Sequence, residues 1–180
     1  MALTLVDCDG ATRVLMASEV DFDKPPRQLF ISNRLTEAGR REWRLLLVSA
    51  INGGDDQTLA TSLKHGGYLS TAETATRNGK TFTKAVPVAA AETLAEGEFN
   101  RFYIRGLCRR AADLGIVELE IYRAKPVMKP RPESEAKIGT RIDASSLLRD
   151  LRDNVGIDTA LGVPAGPNSG RTTSICEVTP

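Results

Sequence analysis

Residues 89–122 read AAAETLAEGEFNRFYIRGLCRRAADLGIVELEIY, and the change of period inside them sets the fold class. Pro87 is tolerated in a first helical turn, so the spacing predicts a helix from about Ala89 to Leu114. On a helical wheel Phe99, Phe102, Tyr103, Gly106, Leu107 and Leu114 share one broad sector. Gly97 and Gly106 each weaken such a helix by roughly 1 kcal/mol relative to alanine, so each marks a kink or a close contact. Gly115 stops the helix. The pattern then alternates: Val117, Leu119 and Ile121 point one way, and Glu118, Glu120 and Tyr122 the other, a strand with one wet face. Nothing here supplies the glycine-rich strand-to-helix turn of a dinucleotide-binding fold. The expected fold is α+β: a small, mainly antiparallel sheet packed by two longer helices.

Upstream, residues 2–7 alternate and Asp9-Gly10 is a turn signal, which predicts a hairpin returning over Arg13–Ala17. Pro25-Pro26 breaks the chain before a third expected strand, Gln28–Ser32. Thr36 is placed to cap a helix whose face carries Trp43, Leu46, Leu47, Ala50 and Ile51, with Asn52-Gly53-Gly54 as its stop. Asp55 or Asp56 caps a short helix holding Leu59 and Leu63. Asn78-Gly79 predicts a turn leading into a strand over Thr81–Val86.

Downstream, Pro126, Pro130 and Pro132 deny the backbone several donors and favour an extended arm over about 124–139. Asp143 caps a last helix with Leu147, Leu148, Leu151 and Val155 as its buried stripe. From Gly162 the chain is rich in Gly, Pro, Ser and Thr. Residues 1–161 are therefore expected to form a single α+β domain and residues 162–180 an extended tail that orders against something else.

The chain has 180 residues with 41 % apolar and 26 % charged, enough to bury a core in one ordinary domain. A formal net charge of +1 argues against a nucleic-acid coat or polybasic membrane binder as a whole-chain description. No apolar run reaches the roughly 18–20 residues that cross a bilayer, so no membrane contact is expected. The first residues lack a basic region and a cleavage site, so no signal peptide is expected. Cys8, Cys108 and Cys176 are odd in number and far apart, which excludes an internal disulfide framework. Cys176 lies in the polar tail, a candidate intersubunit thiol as well as an inert one.

Catalytic signals are thin. Gly79-Lys80-Thr81 resembles the end of a phosphate-binding loop, but Thr74 stands where that motif needs glycine. Ser134-Glu135-Ala136-Lys137 matches Ser-x-x-Lys without its companion elements. The single histidine, His65, has no carboxylate or cysteine at ligand spacing, so no metal, cofactor or catalytic residue is expected. His65 paired with Cys108 or an acid is the remaining enzymatic option.

The arginines carry more information. Arg101, Arg105 and Arg109 form an i, i+4, i+8 ridge opposite the aromatic sector. The stretch Phe99–Arg131 holds eight basic and three acidic residues, while Met1–Asp23 holds five acidic and one basic. Three readings compete. The ridge is a solvated face partly compensated by Glu98 and Asp113. Or it contacts phosphate together with the basic arm. Or the acidic end of one subunit meets the basic segment of the next. The expected contact residues, to a subunit or to nucleic acid, are Arg101, Arg105, Arg109, Lys125, Lys129 and Arg131. The expected function is a non-enzymatic structural subunit of a larger assembly, a phage head, neck or tail component of a virion, made in the cytoplasm. Its partners would be copies of itself and other assembly proteins. The alternative is a nucleic-acid-binding module, virion or cytoplasmic.

Overall fold

Asp9 opens a helix, not a hairpin. The computed structural model describes residues 2–23, 29–126, 132–155 and 171–175. In it the Asp9 carboxylate accepts a hydrogen bond from Thr12 N at 3.0 Å, and α1 runs Gly10–Phe22. Aspartate caps a helix as readily as it starts a turn, and here burial decides between them. α1 buries Thr12, Met16, Glu19 and Val20, one helical face. Thr12 and Glu19 are polar, so apolar periodicity alone hides that face. The strands expected over 2–7 and 13–17 are corrected accordingly. Residues 2–9 are irregular, pinned by Thr4 N donating to Ala124 O (2.8 Å) and Val6 N donating to the Tyr122 hydroxyl (3.1 Å). Residues 29–32 of the expected third strand are irregular too; Gln28 lies outside the described residues.

The next two helices follow their caps. Thr36 accepts from Gly39 N (3.1 Å) at the head of α2, Glu37–Gly53. Asp55 accepts from Thr58 N (2.7 Å) at the head of α3, Asp56–His65. Trp43, Leu47, Ile51 and Leu63 are fully buried, as the spacing requires. β1 (Ala72–Arg77) and β2 (Lys80–Ala85) then form an antiparallel hairpin. Asn78 (φ 50°) and Gly79 (φ 74°) turn it, both in the left-handed region that a two-residue hairpin turn demands.

α4 (Ala90–Asp113) matches its expected span. Gly115 (φ 72°) ends it, and β3 (Glu118–Arg123) follows with Leu119 and Ile121 buried. Val117, expected on that inner face, is exposed because it precedes the paired residues. Pro132–Glu135 forms a single helical turn, α5, within the expected arm; residues 127–131 of that arm lie outside the described residues. β4 (Arg141–Asp143) leads into α6 (Ala144–Asp153), capped by Asp143 through Ser146 N at 2.7 Å. β5 (Arg171–Ile175) pairs antiparallel with β3, giving a sheet of order β4-β3-β5. That part of the expected tail therefore lies along its own domain, since β3 offers it an unpaired edge. The fold is a small α+β fold.

α4 is the axis. It packs against α1, α3, α6, β3 and β5, so Phe99, Phe102, Tyr103, Ile104 and Leu107 are all fully buried. Gly106 is the closest approach to α1: a Cβ there would meet Met16 Cγ at 2.8 Å and Thr12 O at 3.1 Å. Because α4 is covered on most sides, its polar residues Glu96, Glu98, Asn100, Arg101 and Arg105 are interior too.

Candidate functional site

The arginine ridge faces inward. Arg101 and Arg105 are 1 % and 0 % exposed, which corrects their assignment to a solvent, phosphate or subunit surface. Arg105 Nη1 and Nη2 donate to the two Asp23 carboxylate oxygens at 2.6 and 2.9 Å, and Nε donates to Glu19 Oε2 at 3.0 Å. Its guanidinium also lies 4.8 Å from the Phe102 ring centroid. Glu19 is fully buried and accepts as well from Arg109 (3.0 Å) and from Arg152 (3.0 and 2.5 Å). Burial alone would raise the Glu19 pKa, but the hydrogen bonds and charges of Arg152 and Arg105 outweigh it and hold the carboxyl below its usual range. Arg101 Nη1 donates to Leu151 O and Asn154 O at 3.0 and 2.9 Å, tying α4 to the end of α6.

The sequence's charge polarity is thus satisfied within one chain. Acids of the first segment pair with basic residues of α4, α6 and α2: Asp9 with Arg110, Glu19 with Arg105, Arg109 and Arg152, Asp23 with Arg105, and Asp21 with Arg44. Pairing of these two segments between subunits is corrected to pairing inside the domain. Lys125 is also spent, on Glu96. Lys129, Arg131 and Cys176 lie outside the described residues.

His65 is exposed at the last residue of α3. Cys108 is buried on α4, and desolvation pushes its thiol pKa up, so it stays protonated. It lies at the edge of a cleft of about 550 Å³ whose walls include Phe22, Ile116, Val117 and Leu148. Among the described residues no cluster of histidine, cysteine and carboxylate side chains is spaced for a metal, and no helix is long and apolar enough to cross a membrane.

Two features remain that sequence reasoning missed in whole or in part. One is the β1–β2 ribbon, whose turn at Asn78-Gly79 and strand β2 were expected but whose partner strand β1 and exposed basic tip were not. The register pairs Glu73 with Lys84, Ala75 with Phe82, and Arg77 with Lys80 on one face; Thr74 with Thr83 and Thr76 with Thr81 make the other. β2 is exposed at every residue, and among the described residues β1 and β2 pair only with each other. Arg34 holds the ribbon root through a bidentate pair with Glu73 (2.6 and 3.3 Å), joined by Lys84 at 3.1 Å. Among the described residues Arg77 and Lys80 at the tip have no ion-pair partner. The basic residues flanking Asn78-Gly79 were the available signal.

The other is Glu98 on α4. Its side chain is 4 % exposed, and it lines a pocket of about 260 Å³ with Phe30, Ser32, Arg34, Glu73 and Thr93, at the ribbon root. Oε1 is 3.7 Å from Arg101 Nε, beyond hydrogen bonding. Oε2 has no hydrogen-bond partner among the described residues. Desolvation raises its pKa to about 7 against the opposing charges of Arg101 and Arg105. No sequence pattern reports this, because only burial makes Glu98 unusual. Compared with family models, curated proteins and solved structures, the chain matches none.

Proposed function

We propose that the chain is a non-enzymatic structural subunit of a larger assembly, one that contacts copies of itself and other assembly proteins, of the kind that builds a virion head, neck or tail. One observation carries this reading: the β1–β2 ribbon, exposed along the whole of β2 and pairing with no other strand among the described residues. A two-stranded ribbon is marginal in water, and an open edge invites another chain. Here it is fastened at its root by Arg34 and Glu73, so it is held out from the body where a neighbour can cover it. The interior charges support a structural role as well. Glu19, Asp23 and Arg105 satisfy one another and leave little for a substrate.

Light scattering on the eluting protein, with electron microscopy of the peak, tests this. The wild-type chain is expected to form closed or extended multimers. Replacing residues 73–84 with a short Gly-Ser turn is expected to give a monomer with unchanged helical circular dichroism. A wild-type monomer at every concentration and salt overturns the reading.

Nucleic-acid binding is the second reading, and it moves to the ribbon tip. The free cations there are Arg77 and Lys80, since Arg101 and Arg105 are interior. A two-stranded ribbon fits a major groove. Arg77→Ala with Lys80→Ala is expected to flatten the salt dependence of DNA binding by roughly one unit per lost phosphate contact. No binding at low salt removes this reading.

A further inference from the structure

We infer that the pocket at Glu98 receives the basic ribbon tip, Arg77 or Lys80, of a second copy of the chain, so that subunits join head to tail. This rests on the assembly reading above and names its contact. In this pocket Glu98 Oε2 is buried and receives no hydrogen bond among the described residues. The charges near it are mostly engaged: Arg34 and Lys84 with Glu73, Arg105 with Asp23 and Glu19, and Arg101 through Nη1 with the end of α6, its Nε standing 3.7 Å from Glu98 Oε1. A buried acceptor without a partner is costly, and an N–H donor placed on it removes that cost. At about 260 Å³ the pocket is smaller than the roughly 300 Å³ at which drug-sized ligand sites begin. One side-chain head group fits that scale, and Phe30 and Leu94 supply apolar wall for its stem.

The tip carries donors. Arg77 and Lys80 stand opposite each other, a like-charge pair that weakens an isolated ribbon. An anionic acceptor offsets that repulsion. The two halves cannot meet within one molecule. Glu73 lines the pocket, and Arg77 is four residues farther out, about 13 Å along an antiparallel strand. A tip on one side and a pocket at the root make a heterologous contact, which builds rings where the rotation closes and filaments where it does not.

The test uses the full chain near pH 8, about one unit above the Glu98 pKa, with sedimentation velocity over a concentration series. Glu98→Gln, and separately Arg77→Ala with Lys80→Ala, are each expected to weaken self-association by about 30-fold or more. Circular dichroism checks that both fold. The decisive sample mixes the two variants. One keeps its tip, the other its pocket, so together they form a one-to-one dimer that grows no further. Wild-type assembly unaffected by either variant, or a mixture that does not pair, overturns this contact while leaving the assembly reading standing. A wild-type monomer overturns both. Tip substitutions that abolish DNA binding and leave assembly intact assign the tip to nucleic acid and overturn the contact.

Discussion

Glu98→Gln changes one atom type in a buried site, and its effect on stability follows from protonation. In the folded chain Glu98 holds its proton up to about pH 7, against the ordinary glutamate value of 4.5. Below 4.5 both states carry the proton and the group contributes nothing. Between 4.5 and about 7 the unfolded chain releases its proton first, so stability falls as pH rises; above about 7 the full penalty is present. At about 1.4 kcal/mol for each pH unit that interval is worth about 3 kcal/mol. The charges facing the carboxyl are Arg101 and Arg105, with Asp23 opposing them, and Arg34 and Glu73 across the pocket. Glutamine cannot ionise, so the variant loses this slope. Its amide still needs partners in a buried site, so its gain near pH 8 is expected to be below about 3 kcal/mol. The slope is therefore the sharper readout. Urea unfolding followed by circular dichroism at pH steps across 5 to 8, on protein dilute enough to be monomeric by sedimentation, measures it for a Glu98 that no neighbouring chain covers. Parallel curves for the two proteins would refute the assignment of a buried, unpartnered carboxyl at this position. The carboxyls held below their usual range, Glu19 among them, lose their stabilisation at lower pH in both proteins and leave the comparison intact.

Three further outcomes are expected. Arg105→Ala strands Asp23 and part of Glu19 in the interior, and should cost about 3–5 kcal/mol in a denaturant titration; a loss under about 1 kcal/mol would mean that water replaces the guanidinium. Gly106→Ala drives a Cβ to 2.8 Å from Met16 Cγ and 3.1 Å from Thr12 O, and should cost about 1–3 kcal/mol by displacing α1 from α4; an unchanged melting temperature would show that α1 shifts freely. Gly79→Val puts a β-branched side chain at φ 74°, so amide exchange at the hydrogen-bonded pair Ala75 and Phe82 should accelerate while the global melting temperature stays put, since the ribbon buries little. A large drop in melting temperature would show the ribbon to be integral to the core.

Much of the local structure was legible. Thr36, Asp55 and Asp143 cap helices by their own side chains, and Asn78-Gly79 turns a hairpin by its own dihedrals. The span of α4 and the alternation through Leu119 and Ile121 follow from period alone. Asp9-Gly10 was ambiguous because one dipeptide serves both a cap and a turn, and the face that settles it includes Thr12 and Glu19. The candidate site was barely legible. Arg105 on a ridge of cations reads as a surface residue until Glu19 and Asp23, 86 and 82 residues away, fold against it.

Short-range forces set the helices and turns, because caps, dihedrals and apolar spacing act over a few residues and are written into adjacent positions. Whether a charge is interior or wet is a different kind of property. It depends on which distant elements cover it, and only the packing of α1 and α6 around α4 decided that Arg101 and Arg105 are buried and that Glu98 Oε2 is left without a hydrogen bond among the described residues, while Arg77 and Lys80 at the ribbon tip stay exposed.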